Sequence, residues 1–200
     1  LGYIPRHWRV RRCATLFDEI DERNQPDLPL LNVSLNTGVT QRVFSNDKIE
    51  SVAEDFTTYK VARKGDLVFN KMRFWQGAAG IAPINGLTSP DYTVARIKSE
   101  LLPTFTELVV RLPIFSNEVR RYSYGMVDDR LRLYWNGFKD IRIPVPPLNE
   151  QNAIVTFLDR ENTHTAEIEE TLHRSISLLK ERRSALITAA VTGQLQISDN

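Results

Sequence analysis

The sequence predicts an α+β fold: a mixed α/β globular domain over residues 1–147, followed by a long coiled-coil-forming helix and C-terminal tail over residues 148–200. Three observations carry that expectation. Short apolar runs punctuated by Gly, Pro and Asn occupy most of the chain up to residue 142. Pro144, Pro146 and Pro147 then fall within four positions. From Asn149 to Thr192 neither Pro nor Gly occurs.

Residues 30–35 and 66–70 have strand composition, the second after a Lys64-Gly65 turn. Residues 79–84, the pair Asn85-Gly86 and residues 92–97 read as a hairpin-type unit, made irregular by Pro90. Residues 104–122 are helical in pattern, with Phe105, Leu108, Val109, Leu112, Phe115 and Val119 at helical spacings and Pro113 set to kink or divide them. The proline run at 143–148 forbids helix and disfavours the interior of a sheet, so a stiff connector is expected there. Beyond it Asn149 is the expected helix cap, Glu150 complements the positive helix N-terminus, and Gly193 is placed to stop the helix. One helix of about 40 residues, roughly 60 Å at 1.5 Å per residue, lies between.

Its apolar pattern predicts a partner. Leu158, Thr165, Leu172, Leu179 and Leu186 recur at heptad spacing, with Ile154, Ile168 and Ala189 on the alternate positions. That period is a coiled-coil seam. Glu161, Ser175 and Arg182 interrupt it, which favours a specific partner helix over a free parallel zipper; a helix packed on its own domain is the plainer alternative. Ile154, Leu158, Ile168, Leu172, Leu179 and Leu186 are the expected pairing residues.

Composition narrows the function classes. With 42% hydrophobic and 26% charged residues the chain is not disordered, and no apolar run reaches the ~18 residues of a membrane span. The first residues lack a signal peptide's apolar stretch, and a single cysteine, Cys13, leaves no internal disulfide. A soluble, cytoplasmic protein is expected. The start at Leu1 rather than Met points to an excised or processed fragment. The net charge of +1 hides an asymmetry: residues 1–149 carry 21 Lys and Arg against 17 Asp and Glu, whereas residues 150–200 carry 5 against 8. A basic front suits a polyanion, because release of counterions from phosphates drives binding.

Enzyme signatures are missing. There is no phosphate-binding loop, dinucleotide fingerprint, nucleophile elbow or Cys-His pairing. Ser89-Pro90-Asp91-Tyr92 has Ser-Pro where amino-group DNA methyltransferases have Asp/Asn-Pro-Pro, so it reads as a turn leading into a strand. Glu161-Asn162-Thr163-His164 offers one Glu-x-x-His where a di-iron site needs two, and His7, His164 and His173 are too dispersed for a metal site. No catalytic and no metal-ligating residue is expected.

Two clusters suit DNA. The first runs from Asn70 through Lys71, Met72, Arg73, Phe74, Trp75 and Gln76 to Gly77. Its cations can reach phosphates, its Arg and Gln can make bidentate contacts to base edges, and Gly77 lets backbone approach the duplex. The alternative is a hairpin loop with Phe74 and Trp75 in the core, and both can hold. The second comprises Arg120, Arg121, Tyr122, Ser123, Tyr124 and Gly125, then Arg130, Leu131, Arg132, Leu133, Tyr134, Trp135 and Asn136. Guanidinium forks grip phosphate and phenols add donors. Alternation predicts a strand with Arg130, Arg132 and Tyr134 on one face and Leu131, Leu133 and Trp135 on the other. A solvated strand paired with Asp128 and Asp129 is the bland version. Arg9, Arg11 and Arg12 carry less weight.

Taken in order, these residues resemble the DNA-sequence specificity subunit of Type I restriction-modification systems, one half of it. The resemblance lies in the opening Leu1-Gly2-Tyr3-Ile4-Pro5-Arg6-His7-Trp8-Arg9-Val10, then Gly65, Asn70-Lys71-Met72, Trp75-Gln76-Gly77 and Ser89-Pro90-Asp91-Tyr92. It continues through Leu133-Tyr134-Trp135, Phe138-Lys139-Asp140-Ile141 and Ile143-Pro144-Val145-Pro146-Pro147-Leu148 into Glu150-Gln151. It ends with Leu179-Lys180-Glu181-Arg182-Arg183, Leu186-Ile187 and Ala190-Val191-Thr192-Gly193.

That resemblance implies a target recognition domain that reads one half of a bipartite site in double-stranded DNA, joined to a spacer helix that pairs antiparallel with a second one. It implies a non-catalytic subunit that recruits methyltransferase subunits and a restriction/translocase subunit. S-adenosylmethionine, ATP and Mg would belong to those partners, with no cofactor in this chain. One recognition domain and one helix are present, so a half-subunit that homodimerises and a fragment of a full subunit both stay open. From the residues themselves, Lys71, Arg120, Arg121, Arg130 and Arg132 are assigned to bulk affinity, and Arg73, Gln76, Tyr124 and Asn136 to base choice, with Tyr122 on the same surface. Trp75 and Leu133 to Trp135 are assigned to scaffold. Two other readings remain at this point: a catalytic fragment of a DNA methyltransferase or nuclease, and a coiled-coil protein-interaction module without DNA binding.

Overall fold

The computed structural model describes residues 3–42, 56–125 and 131–194. The chain divides into two compact units, Leu1–Ile154 and Val155–Asn200.

In the first unit, β1 (Arg9–Arg12), the short α1 (Cys13–Leu16) and β2 (Phe17–Ile20) are followed by β3 (Leu31–Ser34), β4 (Gly38–Gln41), β5 (Lys60–Ala62), β6 (Leu67–Asn70), β7 (Ala79–Ile81), β8 (Gly86–Thr88) and β9 (Tyr92–Ile97). Then come α2 (Pro103–Val110), α3 (Pro113–Arg121), α4 (Trp135–Asp140), β10 (Arg142–Val145) and the start of α5 (Leu148–Val191). Among the described residues, one antiparallel sheet has the order β2-β9-β6-β7, and β1-β10, β3-β4 and β5-β8 form two-stranded pairs.

The four-stranded sheet is covered on both faces, which is why all four residues of β6 are buried. One face carries Phe69 and Phe17, which stack into an aromatic core with Phe74 and Phe138; Phe69 lies 4.6 Å from Phe74 and 5.0 Å from Phe138, centroid to centroid. Phe115 of α3 joins at 5.8 Å from Phe74. The other face carries Val68 and Val94, packed with Leu31, Val33, Val39 and Ala62. Two layers of apolar contact therefore hold β6 in place, and β6 carries the loop that follows it.

The expected hairpin between residues 79–84 and 92–97 does not form. β7 and β9 both pair with β6, one on each side, so β6 lies between them. The apolar run of β6 requires neighbours on both edges, and that requirement overrides the local turn at Asn85-Gly86. Asn85 instead accepts a hydrogen bond from the Lys64 N–H at 2.9 Å, closing the Lys64-Gly65 turn, where Gly65 has a φ of +92°. Pro113 divides the 104–122 helix as its geometry requires: it opens α3 at the first helical position, after an extended Leu112.

The proline run is also more structured than a connector. Cys13 N–H donates to Ile141 O at 2.8 Å, and antiparallel alternation from there puts Val10 and Pro144 at a non-hydrogen-bonded position. The missing N–H of Pro144 costs nothing, so residues 142–145 form β10.

Helix α5 begins one residue before the predicted cap. Pro147 O accepts the N–H groups of Glu150 and Gln151, so Asn149 lies inside the first turn and does not cap it. Gln151 is fully buried; its amide oxygen accepts the Leu102 N–H at 2.8 Å, and its nitrogen donates to Glu100 O at 2.8 Å and Pro146 O at 2.9 Å. At the far end Gly193 adopts a φ of +74°, and the Gln194 N–H donates to Ala189 O at 2.9 Å, a left-handed helix stop. The helix runs unbroken for 44 residues, about 66 Å.

In the second unit Leu172 and Leu179 are 56% and 63% exposed, and Ile168 and Leu186 are also open; in the first turns Ile154 and Leu158 are half-buried. Ile176, exposed and adjacent to Leu172 and Leu179 at helical spacing, widens this stripe beyond the heptad positions. Among the described residues no helix is long and apolar enough to cross a membrane.

Candidate nucleic-acid interface

The loop joining β6 to β7 carries Lys71, Arg73 and Gln76, and its shape follows from its sequence. Asn70, at the end of β6, accepts the Met72 N–H on its side-chain oxygen at 2.9 Å and the Arg73 N–H on its carbonyl at 3.1 Å. Phe74 drops into the aromatic core with no exposed surface. A single 3-10 turn over Phe74–Gln76 ends at Gly77, whose φ of +102° a side chain would resist. Core and turn together push Arg73 and Gln76 outward, where both are exposed.

Helix α3 brings the second cluster to this loop. Arg120 and Arg121 lie in its last turn, exposed, while Phe115 and Val119 face the core. The Arg120 guanidinium lies over the Trp75 ring, 5.4 Å from its centroid, and the Trp75 indole N–H donates to Met72 O at 2.9 Å. Arg121 pairs with Glu118 at 2.9 Å. Tyr122, half-buried, presents its carbonyl where Gly137 of α4 passes; a Cβ on Gly137 would stand 2.5 Å from that oxygen.

Over the described residues 131–135 the expected strand does not form, because Trp135 already begins α4. Arg132 makes only an isolated antiparallel bridge to Tyr124, with N–H to carbonyl distances of 2.9 and 3.0 Å. The alternation survives without a strand: Leu131 and Leu133 are buried, Arg132 and Tyr134 exposed. The Leu133 N–H donates to Lys71 O at 2.8 Å, joining this segment directly to the first cluster. Asn136 is exposed on α4. Arg130, with Asp128 and Asp129, lies outside the described residues.

Two stretches some fifty residues apart thus meet along one surface, linked at Trp75–Arg120 and Lys71–Leu133, while the Tyr124–Arg132 bridge ties the second stretch to itself. Sequence reading missed a neighbouring charged group. Lys60, buried at the start of β5, stands 4.0 Å from Asp21, and its ammonium is held below the usual lysine range by burial and then by repulsion from Lys71. Asp21 is held below the usual carboxylate range, chiefly by a hydrogen bond from Arg23 and further by the charges of Lys60, Arg23 and Lys71. Asp21 thus pairs with both Arg23 and Lys60 and offsets part of the positive charge there. Neither Lys60 nor Arg23 stood out in the sequence: Lys60 is a lone cation between Tyr59 and Val61, and Arg23 sits between Glu22 and Asn24 in a mixed-charge stretch. Among the described residues no group of three His, Cys, Asp or Glu could hold a metal ion.

A family model described as the Type I restriction modification DNA specificity domain matches residues 9–178. The chain belongs to that family. Type I specificity-domain architecture recurs in solved structures. A chain from a structure on complex assembly and conformational transition of the type I R-M system is similar with a TM-score of 0.62 at 19% identity, covering 94% of this chain and 47% of that one. The HsdS subunit from Thermoanaerobacter tengcongensis gives 0.58 at 22% identity, covering 97% and 47%. The S subunit of the Type-I system from M. genitalium gives 0.52 at 14% identity, covering 80% and 41%. This specificity-domain chain spans about half the length of those relatives. No match is found among curated protein sequences.

Proposed function

We propose that residues 1–147 form a target recognition domain that reads one half of a bipartite site in double-stranded DNA, and that residues 148–200 supply a spacer helix, pairing with a second such helix, and a C-terminal tail. What supports this most is the convergence of Lys71, Arg73, Gln76, Arg120, Tyr124 and Arg132 on one exposed surface, in a chain of the DNA specificity family. Cations there neutralise phosphates and set register, while Arg73 and Gln76 project far enough to reach base edges.

The partner helix seats on Ile168, Leu172, Ile176, Leu179 and Leu186, and comes either from the other half of a longer subunit or from a second copy. The protein contributes recognition and no chemistry of its own; methyl transfer with S-adenosylmethionine and ATP- and Mg-dependent translocation belong to methyltransferase and restriction subunits that it recruits in the cytoplasm. Mapping modified adenines in cells that carry the complete system tests this reading. Two short fixed half-sites separated by a gap of constant length are expected; an uninterrupted motif, or none that depends on this chain, would overturn it.

A further inference from the structure

We propose that Asn117 is an additional base-reading residue, acting with Gln76 across a cleft between the β6–β7 loop and α3; the inference rests on the DNA reading above. The cleft measures about 320 Å3 and is lined by Trp75 and Gln76 from the loop, Ser116 and Asn117 from α3, and Leu35 and Arg111 at its far wall. Asn117, Arg120 and Arg121 stand at i, i+3 and i+4 on α3, so they share its exposed face, opposite buried Phe115 and Val119. Arg120 fastens that face to the loop through Trp75. Asn117 therefore lies one turn before two interface arginines and borders the same cleft as Gln76.

The cleft is held open by construction. Arg111 donates to Leu35 O at 3.3 Å and to Asn36 O, which fixes the turn between β3 and β4 as the far wall. That turn sits tightly on its neighbours, because Gly38 has a φ of +70° and a Cβ there would stand 2.5 Å from the Arg111 guanidinium. A fixed wall leaves two carboxamides, from different elements, bordering one space. A carboxamide matches the donor and acceptor pair of adenine in the major groove, whereas an arginine matches guanine.

The test uses the full-length protein assembled with its methyltransferase subunits and selects duplexes from a pool randomised over the half-site. Asn117→Ala is expected to keep the salt dependence of binding while losing about tenfold to a hundredfold of discrimination at one base-pair position. Asn117→Asp, which accepts but cannot donate, shifts the preferred base at that position toward cytosine, whose amino group donates. An unchanged half-site with unchanged discrimination overturns the proposal, as does uniform weakening with a flatter salt slope, the mark of a phosphate contact. If the wild-type protein itself selects no sequence, the DNA reading fails first.

Discussion

Arg120 lies over the indole of Trp75, 5.4 Å from the ring centroid, and this pair joins two residues 45 positions apart in the sequence. The contact fixes the relation between the β6–β7 loop and the last turn of α3, so it governs where the cations of both stand. A cation over an aromatic face at a partly open site contributes about 0.5–1 kcal/mol. A double-mutant cycle with Trp75→Ala and Arg120→Ala is expected to give a coupling free energy of that size in thermal or urea unfolding. Strictly additive losses would show that the two side chains do not interact.

Gln151, buried in the first turn of α5, bonds to three backbone groups. Replacing it with Ala leaves the Leu102 N–H and the Glu100 and Pro146 carbonyls without their side-chain partner, at a cost of about 2–4 kcal/mol. The midpoint of thermal unfolding is expected to fall by roughly 6–12 °C. A shift within about 2 °C would mean that water or backbone relaxation replaces all three bonds.

Glu150 accepts a hydrogen bond from the Trp8 indole at 2.9 Å and lies 2.8 Å from His7 Nε2. Those two contacts, Trp8 first, hold its carboxyl below the ordinary value of 4.5. Because the folded value is depressed, the stabilisation from this contact is present above that ordinary value and is lost as pH falls through the depressed one. The Trp8 indole N–H resonance is expected to titrate below pH 4.5, and Glu150→Gln is expected to abolish that titration. A midpoint at or above the ordinary value would contradict the contact.

The apolar stripe on α5 predicts association. Leu172→Asp combined with Leu179→Asp places two charges in the middle of the seam, and sedimentation velocity is expected to show loss of the helix-paired species while far-ultraviolet dichroism keeps the fold of the first unit. The same sedimentation coefficient before and after would remove those leucines from any interface.

Much of this architecture was legible locally. Caps, prolines and apolar spacing specify α5 to within a few residues, because a helix satisfies its own backbone and needs only its ends marked. Pro113 divides α2 from α3 for the same reason. What was illegible is long-range. β7 and β9 flank β6 because a strand buried on both faces takes neighbours wherever the chain can supply them. Residues 131–134 make one bridge to Tyr124 and stop, since Gly137 must pass close to the Tyr122 carbonyl and α4 starts early. Gln151 reads as an ordinary polar helix residue, and only backbone groups at residues 100, 102 and 146 give it a reason to be buried. The site behaves likewise: cation-rich clusters are visible in sequence, whereas the pairing of Trp75 with Arg120 and the backbone bond from Leu133 to Lys71 depend on the fold.

On the reading proposed above, the surface around Lys71 and Arg132 grips duplex DNA. The most direct test of that grip compares two double charge reversals with the same change in net charge: Lys71→Glu with Arg132→Glu on that surface, and Lys180→Glu with Arg182→Glu on α5. Binding of the full-length protein to its half-site duplex is measured at one fixed ionic strength. The surface pair is expected to weaken binding by about a hundredfold or more, and the helix pair by less than about fivefold. Equal losses from both would attribute binding to bulk charge, and no loss from the surface pair would place the DNA elsewhere.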